Sequence, residues 1–160
     1  MTFLSPSIIT LQVQGGSTTE FDSALAPSTS GKLTLSDHSR SPLSVNYEMV
    51  EKSQRMADGT MRKYIVAKKR NFSCDWQLLP TIRGEVADGK ADARDMREYY
   101  DLYCYKPLDM TLYFSRNDEE RNGLPYSQSI SVFWTSFNFE VVKRYKNFDY
   151  WNVSAEFTEI

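Results

Sequence analysis

The residues able to do chemistry are few. His38 is the only histidine in 160 residues, which excludes any site built on several imidazoles. It leaves one candidate base for nucleophilic catalysis, inside Ser36-Asp37-His38-Ser39. Adjacent residues on a loop rarely meet in triad geometry, and nothing nearby marks a nucleophile, so a surface histidine is expected. Cys74 and Cys104 have no Cys-x-x-Cys partner and are too few for a disulfide framework; they read as reduced structural thiols. Asp118-Glu119-Glu120 lacks the alternating oxygen ligands and later Glu of a calcium loop, and reads as a solvated turn. No glycine pair lies between a strand and a helix start, so no phosphate cradle is formed. Lys68-Lys69-Arg70 could touch phosphate, or simply form a soluble strand edge. Trp134, Tyr150 and Trp151, if exposed, could stack on sugars. The expectation is a protein that is not an enzyme, with no cofactor and no metal.

The most informative stretch is Arg55-Met56-Ala57-Asp58-Gly59-Thr60-Met61-Arg62-Lys63-Tyr64. Asp-Gly between strand-forming residues is a hairpin signal, because a type I′ turn needs positive φ at both central positions. With Asp58 and Gly59 there, Ala57 faces Thr60, Met56 faces Met61 and Arg55 faces Arg62. Opposed arginines repel and exposed methionines gain little in water. Either this is a solvated hairpin, or its tip docks onto another subunit through Arg55, Met56, Asp58, Gly59, Met61 and Arg62.

The elements around these residues read as follows. Residues 1–41, rich in Ser, Thr, Gly and Pro, predict an extended N-terminal arm with strand pieces at Ile8 to Val13 and Lys32 to Leu35, ordered by a neighbouring subunit or by the sheet edge. Residues 42–160 predict one domain. Val45, Tyr47 and Met49 alternate with polar residues as a half-buried strand, and a second strand runs from Met61 to Ala67, a protruding hairpin over about 45–67. A basic turn at Lys68 to Asn71 leads to a period-2 strand with Phe72, Cys74, Trp76 and Leu78 on one face, ended by Pro80. Met96, Tyr99, Tyr100 and Tyr103 at i, i+3, i+4, i+7 predict one α-helix over about 90–105, capped by Asp88 or Asp92 and stopped by Pro107. Met110 to Phe114, Ile130 to Val142 and Trp151 to Phe157 predict further strands, the second apolar on both faces and therefore central or shared.

Strands, one helix, then strands predict a mainly β fold, a β-sandwich or rolled antiparallel sheet with one flanking helix. The predicted core comprises Phe72, Trp76, Leu78, Met96, Tyr99, Tyr100 and Tyr103, with Trp76 against the helical stripe. Ten Tyr, nine Phe and three Trp enrich the chain in aromatics, and a formal charge of −2 excludes a globally basic nucleic-acid binder. No run spans a bilayer, so no membrane partner is expected, and Met1 to Pro6 lacks the basic and apolar regions of a secretory signal.

Pro42-Leu43-Ser44-Val45, the Arg55 to Tyr64 hairpin and Phe72-Ser73-Cys74-Asp75-Trp76-Gln77-Leu78-Leu79-Pro80 together resemble small tail structural proteins, minor tail or tail-tube-like, of long-tailed bacteriophages. The shared arrangement is a strand, an R-x-A-D-G-T hairpin and an F-S-x-x-W-x-x-L-P strand. The resemblance implies a virion protein made in the host cytoplasm, a subunit whose copies form a ring or tube. Other tail or virion proteins would be its partners, and DNA could pass through non-specifically. A capsid-decorating or head-to-tail joining protein would share the β fold and the arm. A carbohydrate-binding module would instead need coplanar exposed aromatics.

Overall fold

The computed structural model describes residues 8–22, 31–113 and 127–160. Phe114 and the Asp118-Glu119-Glu120 run lie outside them. In chain order the strands are β1 (Ile8–Val13), β2 (Lys32–Leu35), β3 (Ser44–Arg55), β4 (Met61–Pro80), β5 (Leu108–Tyr113), β6 (Ser127–Arg144) and β7 (Asp149–Glu159). The helix α1 (Ala93–Tyr103) lies between β4 and β5. All pairings between strands are antiparallel, in the spatial order β2-β1-β5-β6-β7-β4-β3. The fold is mainly β, and of the two expected forms it is the single rolled sheet, not closed on itself, with one helix against it.

One face of this sheet makes the core. Ile9, Leu11, Leu33, Leu35, Leu108, Met110, Leu112, Val132, Trp134, Val153, Ala155, Phe157, Phe72, Cys74 and Trp76 are all buried at alternate positions of their strands. Period-2 alternation puts such residues on one side of a pleated sheet, and the opposite positions, such as Thr111, Ser154 and Ser73, are polar. The helix covers this apolar face. Tyr99 meets Phe21 edge-on with centroids 5.5 Å apart, and its hydroxyl donates to the Gly31 carbonyl at 2.9 Å.

Four expectations about the elements change. The strands of the N-terminal segment are integral to the sheet. β1 sits between β2 and β5, and the fully buried Ile9, Leu11 and Phe21 belong to the core. Short strands suffice because each is paired and roofed by the same core. Second, no turn interrupts 68–71. β4 runs through, because Lys68, Lys69 and Arg70 pair across with Met49, Glu48 and Tyr47, and no Gly or Pro breaks them. Third, β3 is not half-buried: beyond Val45 it is exposed, since it and its partner leave the sheet together.

Leu78 is the fourth correction. The register slips between Trp76 and Leu79, placing one extra residue in β4. Leu78 takes φ 50° and turns outward, and Leu79 fills the core position instead. Asn152 Oδ1 accepts the displaced Leu78 N–H at 3.1 Å. Such a bulge is invisible to strict alternation.

Candidate assembly surface

β3 and β4 stay paired from Ser44↔Ser73 to Arg55↔Met61, but β7 accompanies β4 only from Asn71 to Pro80. Beyond Asn71 the two strands therefore form a ribbon with no third strand among the described residues. Nine residues of β3, Tyr47 to Arg55, at about 3.3 Å each give an overhang of roughly 30 Å. Two-stranded ribbons alone are marginal in water. Its root is tied down: Arg70 donates through Nε and Nη2 to Glu159 at 3.0 and 3.1 Å, and its backbone N–H donates to Glu159 Oε2 at 3.0 Å. These bonds hold the Glu159 carboxyl below its usual range.

The turn differs from the type I′ expectation. Gly59 N–H donates to Met56 O at 3.0 Å and Met56 N–H to Thr60 O at 2.7 Å, closing a three-residue loop of Ala57, Asp58 and Gly59. Only Gly59 has positive φ, 87°. Asp58 is not in the left-handed region; the Thr60 hydroxyl first, and then the Thr60 N–H that its carboxylate accepts at 2.9 Å, lower its pKa. A three-residue loop with glycine in the left-handed position is the next commonest hairpin form. The register consequently moves by one: Arg55 faces Met61, Gln54 faces Arg62, and Met56 lies opposite Thr60. The opposed arginines do not occur.

What remains is exposure on both ribbon faces. Tyr47, Met49, Val50, Met56, Met61 and Tyr64 are exposed, Ile65 by 60% and Val66 by 76%. The second slip in register, at Val50/Glu51, leaves Val66 as the extra residue. Polar contacts are interspersed along the ribbon: Lys63 pairs with Glu51 at 2.8 Å, and the Lys68 ammonium sits 4.7 Å from the Tyr47 ring centroid. Residues 44–70 contain seven basic and three acidic side chains, formally +4, whereas the rest of the chain has twelve basic and eighteen acidic, −6. The ribbon is a basic, apolar-studded arm on an acidic body. All six tip residues singled out from sequence lie on it, around an open concavity of about 330 Å³ lined by Met56, Asp58 and Arg62.

The candidate catalytic loop is a structural staple. Ser36 is fully buried; its hydroxyl donates to Asp88 Oδ1 at 3.0 Å and accepts the His38 N–H at 3.0 Å. Asp88 also accepts from Asp37 N–H at 2.8 Å, and His38 Nδ1 accepts the Ala87 N–H at 3.1 Å. The imidazole therefore points at a backbone amide and not at a hydroxyl. Cys74 is buried, which pushes its thiol up to about 12 and leaves no thiolate to react. Both cysteines are free. Among the described residues no group of three His, Cys, Asp or Glu side chains could hold a metal ion.

The helical stripe packs into the core, where rings of β6 meet it. Tyr99 and Tyr100 meet Trp134, at 6.2 and 5.4 Å, and Tyr100 stacks on Phe137 at 5.6 Å. Trp76 belongs to the same hydrophobic cluster, with its indole N–H on Ser36 O at 2.8 Å. β6 supplies the rings because it lies nearer the middle of the sheet. Trp134 and Trp151 are thus buried, not presented to sugars. Asp92 caps α1, its carboxylate accepting the Asp95 N–H at 2.7 Å while Asp95 accepts the Asp92 N–H at 3.3 Å. Asp95, fully buried, is held by Arg83 at 2.7 Å, and the same guanidinium donates to Phe21 O at 2.7 Å. This chain of contacts locks the helix over the sheet. A missed cue was the capping pair itself, Asp92 and Asp95 three residues apart.

Compared with protein-family models and with curated proteins, the chain matches none.

Proposed function

We propose that this chain is a structural virion protein of a tailed bacteriophage, whose copies assemble into rings or a tube of the tail through the β3–β4 ribbon. One observation carries the assembling role: a two-stranded ribbon of about 30 Å leaves the sheet with Ile65, Val66 and Met61 exposed and, among the described residues, no covering element. A two-stranded arm is marginal in water and gains stability when a partner buries its apolar side chains. The opposite signs of ribbon and body favour a second copy as that partner, because like molecules then attract head to tail. The tail assignment rests on the hairpin and Phe72 to Pro80 resemblance.

Negative-stain microscopy of the purified protein tests this. Rings or stacked tubes are the expected result, and the double variant Met61→Asp/Ile65→Asp should remain monomeric with an unchanged melting curve. Rings that never stack would favour a head-to-tail joining component over a tube. A wild type that stays monomeric at the highest attainable concentration would contradict the proposal.

A further inference from the structure

At the opposite end of the sheet, the β6–β7 turn reads Lys143-Arg144-Tyr145-Lys146-Asn147-Phe148-Asp149-Tyr150-Trp151, cations interleaved with rings. The fold brings helix α1 alongside it. An open groove of about 420 Å³ is lined by Arg94 and Arg97 from the exposed side of the helix, by Tyr145, Lys146 and Phe148 from the turn, and by Asp149 and Trp151 from the start of β7. Tyr145 and Phe148 stack with centroids 5.4 Å apart and planes 23° apart, and Tyr150 braces both edge-on. Tyr145 nonetheless leaves 53% of its surface exposed.

The charges in this groove are only partly answered. Arg94 has Glu98 at 3.4 Å, and Asp149 lies across the strand pair from Arg144. Arg97 lies over the Phe139 ring at 5.4 Å, and among the described residues neither it nor Lys146 forms an ion pair. The Trp151 indole nitrogen, buried in the wall, has no hydrogen-bond acceptor.

We propose that this groove binds single-stranded nucleic acid without sequence preference. Phosphates would lie against Arg94, Arg97 and Lys146, and a base would stack on Tyr145. Exposed planar rings beside mobile cations are the combination that single strands use, because every unpaired base offers a π-face and every linkage a charge. A duplex hides its base faces, an acidic peptide has no rings to stack, and a bilayer needs a deeper apolar surface than this groove has. The site is independent of how the β3–β4 ribbon is used.

The test is fluorescence anisotropy of the full chain with a labelled oligothymidylate of about twelve nucleotides, within the site-size range of such folds, at low and rising salt. Saturable binding is expected, weakened about tenfold by Tyr145→Ala. Lys146→Ala should make the dependence of log K on log salt shallower by about 0.7, one phosphate contact on a single strand. Arg62→Ala on the ribbon should change nothing, and blunt duplex should bind worse than the single strand. Tyr145→Leu, which keeps volume without a stacking face, substitutes if the alanine variant is unstable. Absence of binding at low salt would overturn the proposal. So would an equal loss from Arg62→Ala with none from Tyr145→Ala, or full competition by phosphatidylglycerol vesicles at equal phosphate.

Discussion

The two long hairpins of this sheet are built from similar residues and end up in opposite situations. β3–β4 and β6–β7 both carry aromatic, β-branched and basic side chains. In β6–β7 one face is roofed: Trp134 meets Tyr99, Tyr100, Phe137 and Phe157 within 6.2 Å, and Phe139 stacks on Trp151 at 4.5 Å. In β3–β4 beyond Asn71, among the described residues, no third strand pairs with the ribbon, and the Tyr47 ring is met by the Lys68 ammonium. The lesson is that composition does not decide which hairpin is core. What decides is whether a third strand lies beside it, and β7 pairs with β4 only from Asn71 to Pro80.

The widest separation between the hairpins should come from truncating one aromatic in each. Trp134→Ala removes a fully buried indole and should destabilise by about 3–5 kcal/mol, enough to unfold a marginal domain. Tyr64→Ala on the ribbon should stay within about 0.5 kcal/mol of wild type. Urea denaturation of both variants reads this directly, and similar losses would erase the distinction between covered and uncovered hairpin.

A smaller effect lies at the ribbon root. Arg70→Ala removes the two guanidinium bonds to Glu159, partly exposed on both sides, and leaves the backbone one in place. About 1 kcal/mol should be lost, after allowance for solvent screening. Because Arg70 holds the Glu159 carboxyl below 4.5, the contribution is present above that pH and fades as pH falls. The helix that roofs β6–β7 behaves in the opposite sense. Burial first, then the neighbouring Asp95 carboxylate, push Asp92 up from 3.8 to about 7. The folded protein then holds a proton that the unfolded chain has released, so this stability is full below about pH 4 and is lost as pH rises through about 7. Asp92→Asn should flatten the melting profile between those values, and Arg70→Ala should flatten only its acidic limb. Thermal melts across pH 3–8 check both.

The smallest expected change is at the β4 bulge beside the covered hairpin. Leu78 sits at φ 50°, where a side chain costs roughly 1–2 kcal/mol. Leu78→Gly should therefore be neutral or stabilising by at most about 1 kcal/mol, since glycine loses part of that gain to unfolded-state entropy. A clear drop in melting temperature would mean that exposed Leu78 is buried by something in solution.

Much of this fold is written in period. The alternation Trp151, Val153, Ala155, Phe157 is β7, the stripe Met96, Tyr99, Tyr100, Tyr103 is the inner side of α1, and Pro80 ends β4. Phe72 and Trp76 are core as read. What period cannot show is the third dimension. Val45, Tyr47 and Met49 alternate as cleanly as Trp151 to Phe157 do, yet only Val45 reaches the core, and Tyr47 and Met49 are exposed because among the described residues no element lies over them. Ile8 to Val13 is too short a strand to stand alone, and it is held because β5 and β2 lie beside it. Asp-Gly marked the turn, but one residue of loop length, set by the Asp58 to Thr60 bond, moved every cross-strand pair. The ribbon was found for a reason, opposed arginines, that the register removes; its exposed Ile65 and Val66 are the reason that stands.

Hydrogen exchange of the backbone amides, compared between dissociated subunit and assembled particle, tests the central claim most directly. Amides of 48–68 should exchange rapidly in the subunit and become protected on assembly, while those of β6 and β7 stay protected in both. Ribbon amides as slow as β7 in the free subunit, or still fast in the assembled particle, would contradict the assignment of this hairpin as the assembly arm.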